Sequence, residues 1–160
     1  STLLTPATAA DVPTILHLIR SLAEYEKLSH EVVATEDSLR AALFGAAPGA
    51  ECLIARENGE PVGFALYFHN FSTFLSRRGL YLEDLFVEPA HRGKGYGKAL
   101  LQQLAQTAVA RGCGRLEWSV LDWNAPAIGF YQSLGAKLMS DWRIFRLTGE
   151  ALQTFAAASR

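Results

Sequence analysis

Leu85-Phe86-Val87-Glu88-Pro89-Ala90-His91-Arg92-Gly93-Lys94-Gly95-Tyr96-Gly97-Lys98-Ala99-Leu100-Leu101 is the stretch that decides the fold. An apolar run ends at Val87, and Pro89 stops it as a strand. A glycine-rich loop follows and opens a helix from Gly95 to Arg111. That helix carries Leu100, Leu101, Leu104, Ala105 and Ala108 on one face, and Gly112 ends it. A helix N-terminus presents N–H groups without intrahelical acceptors and a partial positive charge. Glycines let those groups approach an anion with no Cβ in the way. Arg92, Lys94 and Lys98 add cations around the same point, so a pyrophosphate is the natural guest.

Two common pyrophosphate loops do not fit. The Walker pattern requires Gly-Lys followed by Ser or Thr, whereas Gly97-Lys98 precedes Ala99, and Arg92 stands where its first glycine belongs. The dinucleotide fingerprint GxGxxG fails on spacing, which here is GxGxG, and the loop lies in mid-chain rather than after a first strand.

Outward from the loop, strand-like and helix-like segments alternate without a repeat, linker or low-complexity tract. Val12, Ile15, Leu16, Ile19, Leu22 and Ala23 make one apolar stripe on a helix near 9–26, with Thr8 and Asp11 as a capping box. A second helix is predicted from Glu36 to Phe44, with Thr35 as cap and Gly45 as stop. Strands follow at Cys52–Arg56 and Val62–Phe68, joined by the hairpin signal Asn58-Gly59. Further strands are expected at 79–87 and 115–121. A short helix at 125–134 is opened by Asn124 and Pro126 and closed by Gly135. Strands near 136–139 and 143–147 and a terminal helix from Thr148 complete the expectation. A hairpin among alternating helices and strands favours a mixed, mostly antiparallel α/β sheet over a purely parallel one.

The 160 residues suit one domain, 1–160, and 49% hydrophobic content fills an ordinary core. With 15 basic residues against 16 acidic ones, no field is available to hold nucleic acid. Cys52 and Cys113 lack CxxC spacing, and His17, His30, His69 and His91 show no zinc spacing, so no disulfide framework and no metal are expected. No leader-like N-terminus and no apolar run near 20 residues are seen. A soluble, cytoplasmic protein with no membrane partner is expected.

Arg92-Gly93-Lys94-Gly95-Tyr96-Gly97 is similar to the R/Q-x-x-G-x-G/A signature of the GNAT superfamily of N-acetyltransferases. The context Tyr81–Val87 before it, and Leu121–Tyr131 with Leu134-Gly135-Ala136 after it, resembles the diamine (spermidine/spermine) and thialysine branch. Leu22–Glu26, Thr35-Glu36 and Leu39 agree, so the resemblance covers essentially the whole chain. It implies a twisted mixed sheet with helices on both faces, in which two central parallel strands, here 79–87 and 115–121, splay to admit the pantetheine arm of acetyl-CoA. It implies backbone pairing of that arm with Leu85, Phe86 and Val87. It also implies pyrophosphate contacts from Arg92, Gly93, Lys94, Gly95, Tyr96, Gly97 and Lys98. Asn124, Pro126, Ala127 and Tyr131 would line the far side of the cofactor. A homodimer is implied as well.

The chemistry this implies is direct acetyl transfer to a primary amine of a small molecule: a diamine, polyamine or lysine-like amino acid. Acetylation of a protein amine and a non-catalytic acyl-CoA-binding module are the alternatives. An aliphatic ammonium has a pKa of about 10.4, so only ~1 in 10³ is neutral at pH 7. The site therefore needs a proton acceptor, a negative surface and a donor for the departing thiolate. Glu83, a carboxylate inside an apolar strand, is the candidate base, acting directly or through water. Asp84 is expected on the opposite strand face. Tyr131 is the candidate donor to the sulfur. Tyr25, Glu26 and Glu83 match positions at which polyamine-acetylating relatives contact substrate. The chain is shorter after Gly135-Ala136 than those relatives, so no particular amine is named. Trp118 and Trp123 suit core packing or, by cation–π contact, the wall of an amine pocket; His91 suits a loop role, and Cys113 no covalent role. The aromatic stretch from Phe68 to Leu75 suits either a dimer interface or a substrate lid.

Overall fold

Asn58 and Gly59 adopt φ of 50° and 85°, the left-handed pair that a two-residue hairpin demands. They join β2 (Glu51–Glu57) to β3 (Glu60–Ser72). The computed structural model describes residues 2–159. β3 returns antiparallel into β4 (Arg77–Val87), and β4 pairs in parallel with β5 (Leu116–Trp118). An N-terminal strand that the sequence reading did not contain, β1 (Thr2–Pro6), pairs antiparallel with β2. The sheet order is therefore β1-β2-β3-β4-β5, with one parallel pair, as the mostly antiparallel mixed sheet required.

The helices form where their caps are written. α1 (Val12–Tyr25) follows a 3-10 turn in which the Thr8 N–H donates to the Asp11 carboxylate at 2.8 Å. α2 (Glu36–Phe44) starts at Thr35, whose hydroxyl accepts from the Ser38 N–H at 3.1 Å. α3 (Tyr96–Ala110) starts from Gly95 in the left-handed region, φ 88°.

Register assigns the two faces, because directly opposed residues point the same way. The rows Cys52–Leu66–Asp84 and Ile54–Phe64–Phe86 share one face. That face packs with Val12, Ile15, Leu18 and Leu22 of α1 and Leu39 and Leu43 of α2. Leu85 and Val87 belong to the other face. There the Val87 side chain lies beside Gly97 of α3, which buries Leu100, Leu101, Leu104 and Ala108. Each fully buried leucine contributes about 1.5–3 kcal/mol.

The chain divides into two compact units, Ser1–Ser119 and Val120–Arg160. The second contains α4 (Ala125–Ser133) and α5 (Gly149–Ala157). The strands expected near 136–139 and 143–147 do not form, and those residues make no strand ladder. Alternating apolar residues only propose a strand; a partner edge must supply its hydrogen bonds. β5 is also shorter than the expected 115–121, ending at Trp118.

Candidate active site

Pairing between β4 and β5 runs only from Leu80↔Leu116 to Leu82↔Trp118. β4 continues for five more residues, of which Asp84, Leu85, Phe86 and Val87 pair only with β3. An edge with no β5 partner thus runs along Glu83–Val87, as the splayed-strand expectation required, and an extended ligand can add to such an edge.

The departure of β5 coincides with a β-bulge. Leu82 opposes Tyr67 and Asp84 opposes Leu66, so Glu83 has no partner in β3. The extra residue shifts the alternation by one. Leu82 and Leu85 therefore share the α3 face, and Asp84 enters the α1/α2 face beside Leu66. The expectation that Asp84 takes the opposite face to Glu83 rested on regular alternation, which the bulge interrupts at Glu83 itself. Burial pushes the Asp84 carboxyl up to about 7, and the negative charges of Glu83 and Glu26 push in the same direction. Glu26 caps the C-terminus of α1, and burial raises its own pKa. The charges of two carboxylates, one from β4 and one from the end of α1, thus bear on Asp84. Asp84 is the residue that sequence reasoning missed as a member of this group.

The glycine loop lies immediately beyond. Gly93 and Gly95 adopt φ of 80° and 88°, which side-chain-bearing residues adopt only with strain. The first helical acceptor is Gly95, whose carbonyl takes the Ala99 N–H at 3.0 Å. No side chain caps the helix start, so the N–H groups of Tyr96, Gly97 and Lys98 face outward from its first turn. Lys98 is exposed there.

The loop's cations are held differently from one another. Lys94 Nζ lies 3.3 and 3.4 Å from the two oxygens of Glu57 at the end of β2. The Tyr96 hydroxyl is the largest of the hydrogen bonds that keep the Glu57 carboxyl below its usual range. His91 Nδ1 also reaches Glu57, at 2.8 Å but off the hydrogen-bond line. Glu57 is therefore an anchor for three loop residues, and no sequence motif singles it out. Arg92 instead donates from Nε to the Val87 carbonyl at 3.0 Å. Its Cζ stands 4.3 Å from the centroid of the Tyr25 ring and 5.5 Å from that of Phe86. Tyr25 thus meets Arg92 of the glycine loop, while the charge of its neighbour Glu26 bears on Asp84.

Asn124, Pro126, Ala127 and Tyr131 belong to the second unit. Asn124 Oδ1 accepts from the Ala127 N–H at 3.3 Å, and Pro126 occupies the first turn, where its missing N–H costs nothing. Tyr131 lies in the last part of α4, its ring 5.6 Å from that of Phe130. Phe68 of the aromatic stretch packs on Tyr81 at 5.2 Å, and that stretch closes the β3–β4 hairpin. Cys52 is buried, its thiol pushed up to about 12, and neither cysteine is in a disulfide. Among the described residues no three His, Cys, Asp or Glu side chains are grouped to hold a metal ion, and no helix is long and apolar enough to cross a membrane.

Comparison with known proteins agrees with this geometry. The profile described as "Acetyltransferase (GNAT) family" matches residues 15–136. A thialysine N-epsilon-acetyltransferase of Bos taurus is 42% identical over 161 residues, covering 94% of each chain. L-ornithine N5-acetyltransferase NATA1 of Arabidopsis thaliana is 36% identical, covering 92% of this chain and 84% of that one. Among solved structures, an integron cassette protein from the mobile metagenome of V. cholerae superposes with a TM-score of 0.84 at 28% identity, covering 99% of both chains.

Proposed function

We propose that this chain, which belongs to the acetyltransferase (GNAT) family, transfers the acetyl group of acetyl-CoA to a primary amine on a small, flexible molecule. The observation that carries the proposal is the open β4 edge at Glu83–Val87 where β5 ends, with Glu83 exposed on it and the charges of Glu83 and Glu26 bearing on Asp84. A negative surface at that point attracts an ammonium and accepts its proton. The names of the relatives support the same class: thialysine and ornithine both carry a terminal primary amine on an amino-acid backbone.

The residues suit the donor. An unpaired strand edge at Glu83–Val87 matches an extended arm, and the uncapped start of α3 with Gly93, Gly95 and Lys98 matches a pyrophosphate. Acetyl-CoA supplies the activated carbonyl. Asn124, Pro126 and Ala127 are assigned to its far side on the family pattern.

Three steps fall to the protein. The carboxylates draw in the ammonium, and Glu83 takes its proton, directly or through water. The neutral nitrogen then bonds to the thioester carbon, and the carbon–sulfur bond breaks. The Tyr131 phenol gives its proton to the departing sulfur and recovers one as the acetylated amine loses its second. The positive charge of Arg92, Lys98 and the α3 terminus balances the phosphates throughout. One functional domain over 1–160 is part of the proposal, supported by a family match over residues 15–136.

Incubation with acetyl-CoA and a panel of amines, read by free-thiol release, tests the reading. Thialysine, ornithine and spermidine head the panel. Release above the hydrolysis rate with at least one amine is expected; none with any amine overturns it. A homodimer in a reducing, cytoplasmic compartment completes the proposal. Two unpaired cysteines suit that compartment, and light scattering reads the oligomeric state.

A further inference from the structure

The geometry points to Tyr25 as a positioning residue for the acetyl donor: its ring carries the Arg92 guanidinium that fixes the last carbonyl of β4. This inference rests on the acetyl-CoA reading above and reassigns Tyr25 from the amine side of the site.

Arg92 is a long, exposed side chain on a loop whose neighbours Gly93 and Gly95 add backbone freedom. Left to itself it would sample many rotamers. Three contacts oppose this. Nε is committed to the Val87 carbonyl at 3.0 Å. The plane is held over the Tyr25 ring at 4.3 Å, and Phe86 lies at 5.5 Å. Of the five N–H donors of a guanidinium, Nε uses one, and the other four are carried on the two terminal nitrogens. Fixing Nε and the plane therefore aims those four donors from a preset position. The charge is placed before the anion arrives, and binding spends less on ordering it.

The contact also fixes backbone. Val87 is the final residue of β4, on the edge to which the donor's extended arm is assigned. Holding its carbonyl with a charged donor sets the direction in which the chain leaves the strand and enters the loop. Tyr25 is the last residue of α1 and Glu26 follows it. One helix end thus supplies a ring to the donor side and a carboxylate to the amine side, and substitutions at the two adjacent positions separate the two substrates.

The test is the affinity of coenzyme A by calorimetry, with KM for each substrate, in wild type, Tyr25→Phe, Tyr25→Leu, Arg92→Leu and the Tyr25→Leu/Arg92→Leu double variant. Loss of the ring is expected to weaken coenzyme A binding ~5-fold and to leave KM for the best amine of the panel within twofold. Tyr25→Phe keeps a ring face and is expected to keep coenzyme A affinity. In the Arg92→Leu background, Tyr25→Leu is expected to add nothing. Should Tyr25→Leu misfold, Tyr25→Met replaces it with the same expectations. A raised KM for the amine with intact coenzyme A affinity overturns the inference. So does Tyr25→Phe behaving like Tyr25→Leu, or losses that multiply in the double variant. Wild-type protein that binds no coenzyme A overturns the functional reading itself, and this inference with it. Wild-type binding that is indifferent to every Tyr25 variant overturns this inference alone.

Discussion

Asp84→Asn should remove a pH-dependent cost that the native protein carries. The carboxyl titrates near 3.8 in an unfolded chain and at about 7 in the folded one. Below pH 4 both states hold the proton, and Asp84 costs nothing. Between pH 4 and 7 the folded protein keeps a proton that the unfolded chain has released, so unfolding becomes progressively easier as pH rises. At about 1.4 kcal/mol per pH unit, the cost reaches about 4 kcal/mol at pH 8, as an upper figure. Asparagine is close in shape to the protonated acid and does not ionise. The assay is urea unfolding of wild type and Asp84→Asn at intervals from pH 4.5 to pH 8.5. The difference between the two proteins isolates Asp84 from every other carboxylate. It should be small at the acidic end and grow to about 2–4 kcal/mol in favour of the variant by pH 8. Parallel stability curves would show that Asp84 ionises normally and refute the burial argument. A difference that grows toward acid would reverse its sign.

Other outcomes follow from the same structure. Glu83→Gln removes a like charge beside Asp84 and should lower the pKa of Asp84, read by carboxyl NMR titration; an unchanged value would place the two groups apart. Tyr131→Phe should cut kcat by roughly tenfold or more while coenzyme A affinity by calorimetry stays the same; equal turnover would remove the phenol from the chemistry. Gly95→Ala forces a side chain to φ 88° and should cost about 1–2 kcal/mol in urea unfolding, with weaker coenzyme A binding. Thr35→Ala should cost about 1 kcal/mol through loss of the Ser38 cap, and no loss would mean that α2 is held by packing alone.

Elements whose limits are set by local chemistry were legible in the sequence. Thr35 and Gly45 bracket α2 at the expected residues, and Asn58-Gly59 makes the expected hairpin. Gly95 starts α3 because few other residues tolerate its backbone. Elements whose existence depends on a partner were not legible. β1 has no alternation to announce it and is strand only because β2 offers an edge. Residues 136–139 and 143–147 have the pattern and lack the ladder. The candidate site divides on the same line. The glycine loop is a local motif and was found. Asp84 belongs to the carboxylate group because of a register shift between β3 and β4, and Glu57 belongs to the loop because of where a hairpin ends. Both depend on distances across the sheet that spacing along the chain does not contain.

The unpaired Glu83 also limits how the gene for such a chain can change length. Removing the Glu83 codon would abolish the bulge and leave both faces as they are, whereas removing the codon for Leu80 or Tyr81 would abolish it and turn Leu82 from α3 toward α1. Length variation among proteins built on this plan is therefore expected in the β3–β4 turn at 73–76, and not at Leu80–Leu82.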